Sequence, residues 1–191
     1  MQPNLPEAKQ AIRARVRADL KKMSPADRAI DSARARALLT GQAVWRDARS
    51  ILFFAPLPDE LDLWPLLAEV LAAGKTAALP QFDAATGGYA ACRVQEAGPD
   101  LAVGRFGIRE PVKSCPRIAE RLDLILVPGV AFDLKGGRLG RGAGYYDRLL
   151  ASVAGRRCAV AFDGQIVDNL PVESHDREMD YILTPTRWIE V

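Results

Sequence analysis

Apolar residues recur at helical spacing over the first forty positions of the chain. One stripe consists of Ile12, Val16, Leu20 and Met23. This spacing predicts an amphipathic helix over residues 7–23. Ser24 and Pro25 are typical of a second helix start, because serine caps a first turn and proline fits the first helical position. The second helix is predicted to run to about Leu39 and to end near Gly41.

Short apolar runs of strand length alternate with helical patterns over the rest of the chain. The predicted strands are residues 50–55, 76–79, 89–94, 124–127, 159–162 and 181–183. A helix is predicted over 63–73, and segment 83–88 is predicted to be the turn of a hairpin. Several runs lack alternating polar positions, as expected for strands covered on both faces. The pattern predicts a single α/β domain over residues 1–191, a three-layer sandwich with an open, mostly parallel, Rossmann-like sheet and helices on both faces.

Charge and composition narrow the classes of function. The 26 basic residues almost balance the 24 acidic ones, giving a net charge of +2, so we expect no nucleic-acid partner. The start of the chain lacks the pattern of a signal peptide, and no run reaches the roughly 18 apolar residues that span a bilayer. We therefore expect a cytoplasmic protein without a membrane partner.

The cysteines and the single histidine exclude further chemistries. Cys92, Cys115 and Cys158 lie far apart in sequence and are expected to be reduced core thiols, neither disulfides nor zinc ligands. Because His175 is the only histidine, a multi-histidine metal site is impossible and a Ser-His-Asp triad would have to use it. The chemistry must therefore depend on carboxylates, lysines, arginines, tyrosines and backbone amides.

A turn rich in glycine lies between a predicted strand and a predicted helix. Its glycines are Gly136, Gly137, Gly140, Gly142 and Gly144. Such a turn lets backbone N–H groups converge on one anion, and the N-terminus of the following helix adds positive potential. Arg138 and Arg141 add two guanidinium groups suited to phosphate oxygens. The spacing fits neither a Walker A loop nor GxGxxG, and a plain strand-to-helix connection is the alternative.

The glycine-rich turn also carries a family resemblance. Residues 138–147, RLGRGAGYYD, follow LILVPGVAFD at 124–133, and the pair resembles the signature of the 5-formyltetrahydrofolate cyclo-ligase family. Further similar segments are Lys9-x-x-x-Arg13, APLPDEL at 55–61, Pro80, Glu110-Pro111 and His175-Asp176. Each short segment is weak evidence by itself, but their order and spacing together are specific to the family.

The resemblance implies a carbon–nitrogen ligase that converts 5-formyltetrahydrofolate to 5,10-methenyltetrahydrofolate with ATP and Mg²⁺. ATP would phosphorylate the formyl oxygen, nitrogen 10 would attack the activated carbon, and loss of phosphate would close the ring. Such chemistry needs positioning and charge neutralisation more than a protein nucleophile. The implied partners are ATP and the folate, with or without a polyglutamate tail, and the chain is expected to be a monomer or weak dimer.

The resemblance also assigns roles to individual residues. ATP would be bound by Lys9, Arg13, Arg138, Leu139, Gly140, Arg141, Gly142, Ala143, Gly144, Tyr145 and Tyr146. The folate would be bound by Ala55, Glu60, Phe106, Tyr145 and Tyr146. Arg141 and Tyr145 are the expected catalytic residues, and Asp147 and Asp176 are the expected Mg²⁺ ligands, since hard carboxylate oxygens suit that cation.

Each assignment has a plainer alternative. Lys9 and Arg13 have the spacing of an ordinary basic helix surface, and Glu60 could be a loop acid. Asp147 could cap its helix, and the tyrosines could be core aromatics. Many family members have a lysine where this chain has Ala143, which puts ATP affinity in question. The rival functions are a non-catalytic folate- or nucleotide-binding relative and a sugar-phosphate isomerase-like enzyme on a similar scaffold.

Overall fold

A computed structural model of the chain describes residues 4–118, 121–171 and 177–191. Its helices are α1 (Leu5–Leu20), α2 (Pro25–Thr40), α3 (Ala43–Asp47), α4 (Pro65–Ala72) and α5 (Tyr145–Ser152). Single 3₁₀ turns occur at Arg105–Gly107 and Asp163–Gln165. No helix in these ranges is long and apolar enough to cross a membrane.

The bounds of α1 differ from the predicted 7–23 because capping fixes both of its ends. The Asn4 side chain accepts a hydrogen bond from the Glu7 N–H at 3.0 Å, and the Glu7 carboxylate accepts one from the Asn4 N–H at 3.2 Å. This reciprocal pair starts the helix earlier than the apolar stripe indicates. At the other end α1 stops at Leu20, and Ser24, in an extended conformation, caps α2, as predicted; the helical region is disfavoured for a residue that precedes a proline.

The strands form one large sheet and two small ones. They are β1 (Ser50–Leu52), β2 (Thr76–Asp83), β3 (Gly88–Val94), β4 (Leu101–Val103), β5 (Arg109–Pro111), β6 (Leu124–Pro128), β7 (Ala131–Asp133), β8 (Arg138–Leu139), β9 (Arg156–Val160), β10 (Ile166–Val167), β11 (Tyr181–Leu183) and β12 (Trp188–Glu190). The large sheet has the order β12-β11-β9-β6-β1-β2-β3. Its five central strands are parallel, and β12 and β3 are antiparallel at the edges. The predicted mostly parallel sheet is confirmed, as is the β2–β3 hairpin.

Helices cover both faces of the large sheet, which confirms the predicted layers. Alternate residues of β6 point to opposite faces: Leu124 and Leu126 pack into a core that includes residues of α1, α2 and α4. Ile125 and Val127 pack on the other face, with Leu149 of α5. All of β6 is buried, as expected for a central parallel strand. The three cysteines are free and buried, as predicted.

The strand order creates a crevice at one end of the sheet. From β1 the chain passes to β2 on one side, and β6 later pairs on the other side of β1. The connections that leave the carboxyl ends of β1 and β6 therefore run in opposite directions. Open α/β sheets bind ligands at such a switch point.

Candidate functional site

A cavity opens at the carboxyl ends of β1 and β6. It encloses about 790 Å³ of empty space, counting its open mouth. The predicted site residues that line it are Ala55, Glu60, Phe106, Arg138, Gly140, Arg141, Ala143, Gly144, Tyr145, Tyr146 and Asp147. The structure therefore brings together predicted residues from three separate stretches of sequence.

The glycine-rich turn forms one wall and leads directly into α5. Gly142 and Gly144 have positive φ angles of 107° and 66°, a backbone conformation that residues with a β-carbon rarely adopt. The left-handed Gly144 is the N-cap of α5, so the helix begins at the cavity. The free N–H groups of a first helical turn favour an anion at this end.

Helix α1 contacts the glycine-rich turn through Arg13. The Arg13 Nε donates a hydrogen bond of 2.8 Å to the Gly140 carbonyl oxygen, across 127 positions of sequence. Lys9 lies one helical turn away and shares a shallow surface groove with Arg13. Burial and the charge of Arg17 lower the pKa of Arg13, whereas Asp147 acts in the opposite direction. Neither Lys9 nor Arg13 is among the described residues that line the cavity, but Arg13 directly contacts the turn.

Arg138 is held at the floor of the cavity. Its side chain is only 5% exposed, and it donates to the Pro128 carbonyl oxygen at 3.2 Å and to the Asp147 carboxylate. Asp147, in the first turn of α5, therefore has Arg138 as its cationic partner. Arg138 reaches the cavity but is committed to protein acceptors, so it orders the turn at least as much as it offers charge to a ligand.

The carboxylates at the cavity could supply only one or two protein ligands to a metal ion. Among the described residues there is no cluster of three or more groups that could ligate a metal. Mg²⁺ that travels with ATP takes most of its ligands from phosphate and water, and it needs one or two carboxylates. Asp147 remains partly exposed at the cavity, so its carboxylate fits that requirement. Asp176 and His175 lie outside the described residues.

The loop after β1 supplies a buried carboxylate on the opposite wall. Glu60 folds back onto its own loop, where it accepts a hydrogen bond of 2.9 Å from the Leu57 N–H. Its side chain is 9% exposed, and burial raises its pKa against the opposing effects of Leu57 and Arg141. Arg141 Nη2 lies 3.1 Å from Glu60 Oε1 and 2.6 Å from Asp59 Oδ1. The predicted phosphate ligand thus pairs with the predicted folate ligand.

Aromatic rings form a third wall. The Tyr145 ring lies edge-on to Tyr89 at 5.4 Å and to Phe82 at 6.1 Å between ring centroids. Phe106 is 6.1 Å from Tyr145 and 60% exposed. Phe106 also has a φ of 64°, an unusual value for an aromatic residue. The Arg105 guanidinium lies 4.3 Å from the centre of the Phe82 ring. A flat heteroaromatic ring fits such a wall better than a sugar does.

The two tyrosines of the turn are both partly buried. Burial raises the pKa of Tyr146 well above its usual value, and the ring packs against both hydrophobic cores. Both tyrosines line the cavity, so both rings are accessible from it.

Besides Lys9 and Arg13, two more predicted ATP-binding residues, Leu139 and Gly142, are not among the described lining residues. The Leu139 side chain is buried in the core, because β8 pairs with β7 and turns this side chain inward. Any contact from Leu139 would therefore have to come from its backbone. Gly142 lies beside the Arg13 guanidinium.

Sequence reasoning missed other lining residues, among them Leu57, Tyr89, Ile108 and Arg109. Tyr89 had one detectable signal. Its place at the start of the second predicted hairpin strand puts it opposite Phe82 once the register is known.

Comparisons with known proteins point to one family. The model of the 5-formyltetrahydrofolate cyclo-ligase family matches residues 6–185. A 5-formyltetrahydrofolate cyclo-ligase of Mycolicibacterium smegmatis is 45% identical over 94 residues, 47% of this chain and 48% of that protein. The Escherichia coli protein of the same name is 32% identical over 145 residues, 73% of this chain and 80% of that protein.

A solved structure extends the likeness to the whole fold. The 5,10-methenyltetrahydrofolate synthetase of Aquifex aeolicus matches with a TM-score of 0.85 and 35% identity, over 95% of this chain and 92% of that one. Family match, sequence identity and fold therefore agree, and the chain belongs to the 5-formyltetrahydrofolate cyclo-ligase family.

Proposed function

We propose that the chain converts 5-formyltetrahydrofolate to 5,10-methenyltetrahydrofolate in this cavity, using Mg²⁺ and ATP and releasing ADP and phosphate. Family membership makes the chain an ATP-dependent ligase of folate metabolism. The observation that carries the assignment to this cavity is its composition. A glycine-rich turn with cationic neighbours forms one side, and a buried carboxylate beside an aromatic wall forms the other.

The phosphates of ATP belong on the glycine side. The backbone of the turn, the N-terminus of α5 and the Arg13 and Arg141 guanidinium groups supply positive potential there. Asp147 would hold Mg²⁺, which neutralises phosphate charge when it is bound. Asp176 remains a predicted second ligand. These groups compensate for the absence of a lysine at Ala143.

The folate belongs between Glu60 and the aromatic wall. A carboxylate accepts two N–H donors from an aminopyrimidinone edge, and Glu60 is buried enough for such bonds to be strong. Tyr145 and Phe106 would contact the ring faces or edges of the pterin. This arrangement directs the formyl group toward the phosphates.

The protein then promotes the reaction by positioning the two substrates against each other. The formyl oxygen takes the γ-phosphoryl group and ADP leaves. Nitrogen 10 attacks the formyl carbon and loses its proton, and the carbon–oxygen bond breaks to release phosphate. Arg141, between the two walls, would neutralise the charge that develops on the transferred phosphoryl group. Tyr145 would keep the folate aligned.

The activity is tested by incubating the purified chain with 5-formyltetrahydrofolate and Mg-ATP and following the absorbance of the methenyl product. We expect product only when ATP and Mg²⁺ are both present. Product without ATP, or folate binding without turnover, would contradict the proposal. The second outcome would favour the non-catalytic alternative, which the family match does not support. The isomerase alternative likewise has no support from the comparisons.

Arg141→Ala should raise the KM for ATP and lower kcat, because a charge-assisted phosphate contact is lost. Such contacts contribute about 1.5–3 kcal/mol, or roughly ten- to a hundredfold. Arg34→Ala, on the exposed surface of α2, is the matched control and should behave as wild type. Equal kinetics in the two variants would remove Arg141 from the site.

A further inference from the structure

Arg141 joins the glycine-rich wall of the cavity to the wall formed by the loop after β1, through a pair of adjacent carboxylates. It belongs to the glycine-rich turn, whereas Asp59 and Glu60 belong to the loop after β1. One nitrogen, Nη2, donates to both carboxylates, at 2.6 Å to Asp59 and 3.1 Å to Glu60. The Arg141 and Asp59 side chains are 37% and 35% exposed, so the pair stands at the cavity mouth.

This contact conflicts with the role of Arg141 at the phosphates. A guanidinium that is held by two carboxylates offers fewer N–H groups to an incoming phosphoryl group. When Arg141 turns toward ATP, Glu60 keeps the Leu57 N–H but loses its cationic partner. Leaving a buried carboxylate with fewer partners is costly. The affinity for ATP is therefore lowered by this cost when ATP binds without the folate.

A bound folate removes the cost at Glu60. Its N–H donors would replace Arg141 on that carboxylate, and Arg141 would be held only by Asp59. Each substrate thus makes room for the other, which is a coupling between two binding events.

We propose that Asp59 is a positioning residue that holds Arg141 away from the phosphate side of the empty site. We further infer that exchange of Arg141 between Glu60 and ATP makes the two substrates bind with positive coupling. Both inferences rest on the proposed function, because they need ATP and the folate to share this cavity. Asp59 acts only through Arg141 and need not touch either substrate.

Calorimetry with a non-hydrolysable analogue, Mg–AMP-PNP, tests both statements. For the wild type we expect tighter analogue binding, by about fivefold or more, when 5-formyltetrahydrofolate is saturating. Equal affinity with and without the folate would overturn the coupling. No analogue binding under either condition would instead contradict the proposed function itself.

Asp59→Asn tests the positioning role. Removing a partly exposed ion pair should tighten analogue binding by about two- to fivefold. Asp62→Asn is the matched control, because Asp62 lies in the same loop but accepts from the Trp64 N–H and does not contact Arg141. Unchanged or weaker analogue binding in Asp59→Asn, with normal binding by the wild type, would overturn this inference alone.

A double-mutant cycle separates positioning from simple charge repulsion. In an Arg141→Gln background, Asp59→Asn should leave analogue affinity unchanged, since the residue through which Asp59 acts is gone. Tightening that persists there would mean long-range repulsion between Asp59 and the phosphates, and the proposal would be wrong. Where Arg141→Gln binds the analogue too weakly for calorimetry, the KM for ATP at saturating folate provides the same cycle.

Discussion

At the scale of single residues, Glu60 has an unusual environment for a carboxylate. It is a nearly buried carboxylate whose partners are one backbone N–H and one arginine. Burial raises its pKa, which means that the charged form would gain from additional donors. A ligand edge with two N–H groups would supply them.

Glu60→Gln should weaken binding of 5-formyltetrahydrofolate by about tenfold or more. A glutamine presents one acceptor oxygen and one amide nitrogen, so a donor of the pterin would face another donor, and bonds to charged groups contribute about 1.5–3 kcal/mol. Calorimetric titration without nucleotide measures the effect. Glu69→Gln, on the exposed side of α4, is the control, and equal folate affinities in the two variants would contradict the assignment.

The residues of the site were predicted unevenly from sequence, for physical reasons. The glycine-rich turn was recognisable because its residues are consecutive, and the cavity lining contains most of them. The partners of Arg141 could not be recognised from the sequence, because Asp59 lies 82 positions away from Arg141 and only the sheet order brings its loop across the crevice. Tyr89 was missed because its position depends on strand register.

At the scale of elements, the hairpin of β7 and β8 supports the glycine-rich turn. Asp133 ends β7, and its buried carboxylate accepts from the N–H groups of Lys135, Gly137 and Leu170 at 2.9–3.0 Å. Gly136 occupies the bend with a φ of 82°. A rigid bend at this point fixes where β8, and hence Arg138, leaves the hairpin.

Gly136→Ala should therefore destabilise the fold by about 1–3 kcal/mol, the usual range for a strained left-handed residue. An added β-carbon would also lie 2.7 Å from the Met179 carbonyl oxygen. Urea unfolding followed by circular dichroism measures the loss. Gly164→Ala is the control, because a β-carbon there meets nothing within 4 Å. Equal unfolding midpoints would show that the bend relaxes without cost.

The elements that the sequence did not predict are the short ones. Strands β4, β5, β7, β8, β10 and β12 have two or three residues each and are defined by pairing, not by local pattern. Trp188 of β12 stacks on Tyr181 of the neighbouring strand β11, with 5.0 Å between the ring centroids. Strand β9 begins three residues before the predicted 159, because Arg156 and Arg157 pair with β6 despite their charge. Long-range pairing fixed these bounds.

At the scale of the whole molecule, the raised pKa of Glu60 makes stability depend on pH. The folded state binds the Glu60 proton more tightly than the unfolded state does. This contribution is fully present below the ordinary pKa of glutamate and is lost as the pH rises through the raised pKa.

The free energy of unfolding of the wild type, relative to Glu60→Gln, should therefore fall as the pH rises through that window. Urea unfolding of both proteins at closely spaced pH values measures the difference, and Glu69→Gln again serves as the control. A difference that stays constant or grows with pH would show that Arg141 and the Leu57 N–H outweigh burial.

The bond from Arg13 to Gly140 has a consequence for how the molecule is made. Helix α1 leaves the ribosome long before the turn that it contacts, and it also packs against the 3₁₀ turn at Asp163–Gln165. Helix α1 therefore cannot complete its contacts until residue 165 has emerged. The glycine-rich side of the cavity is thus among the late parts of the nascent chain to be completed, so a stalled, truncated product would carry an unfinished cavity wall.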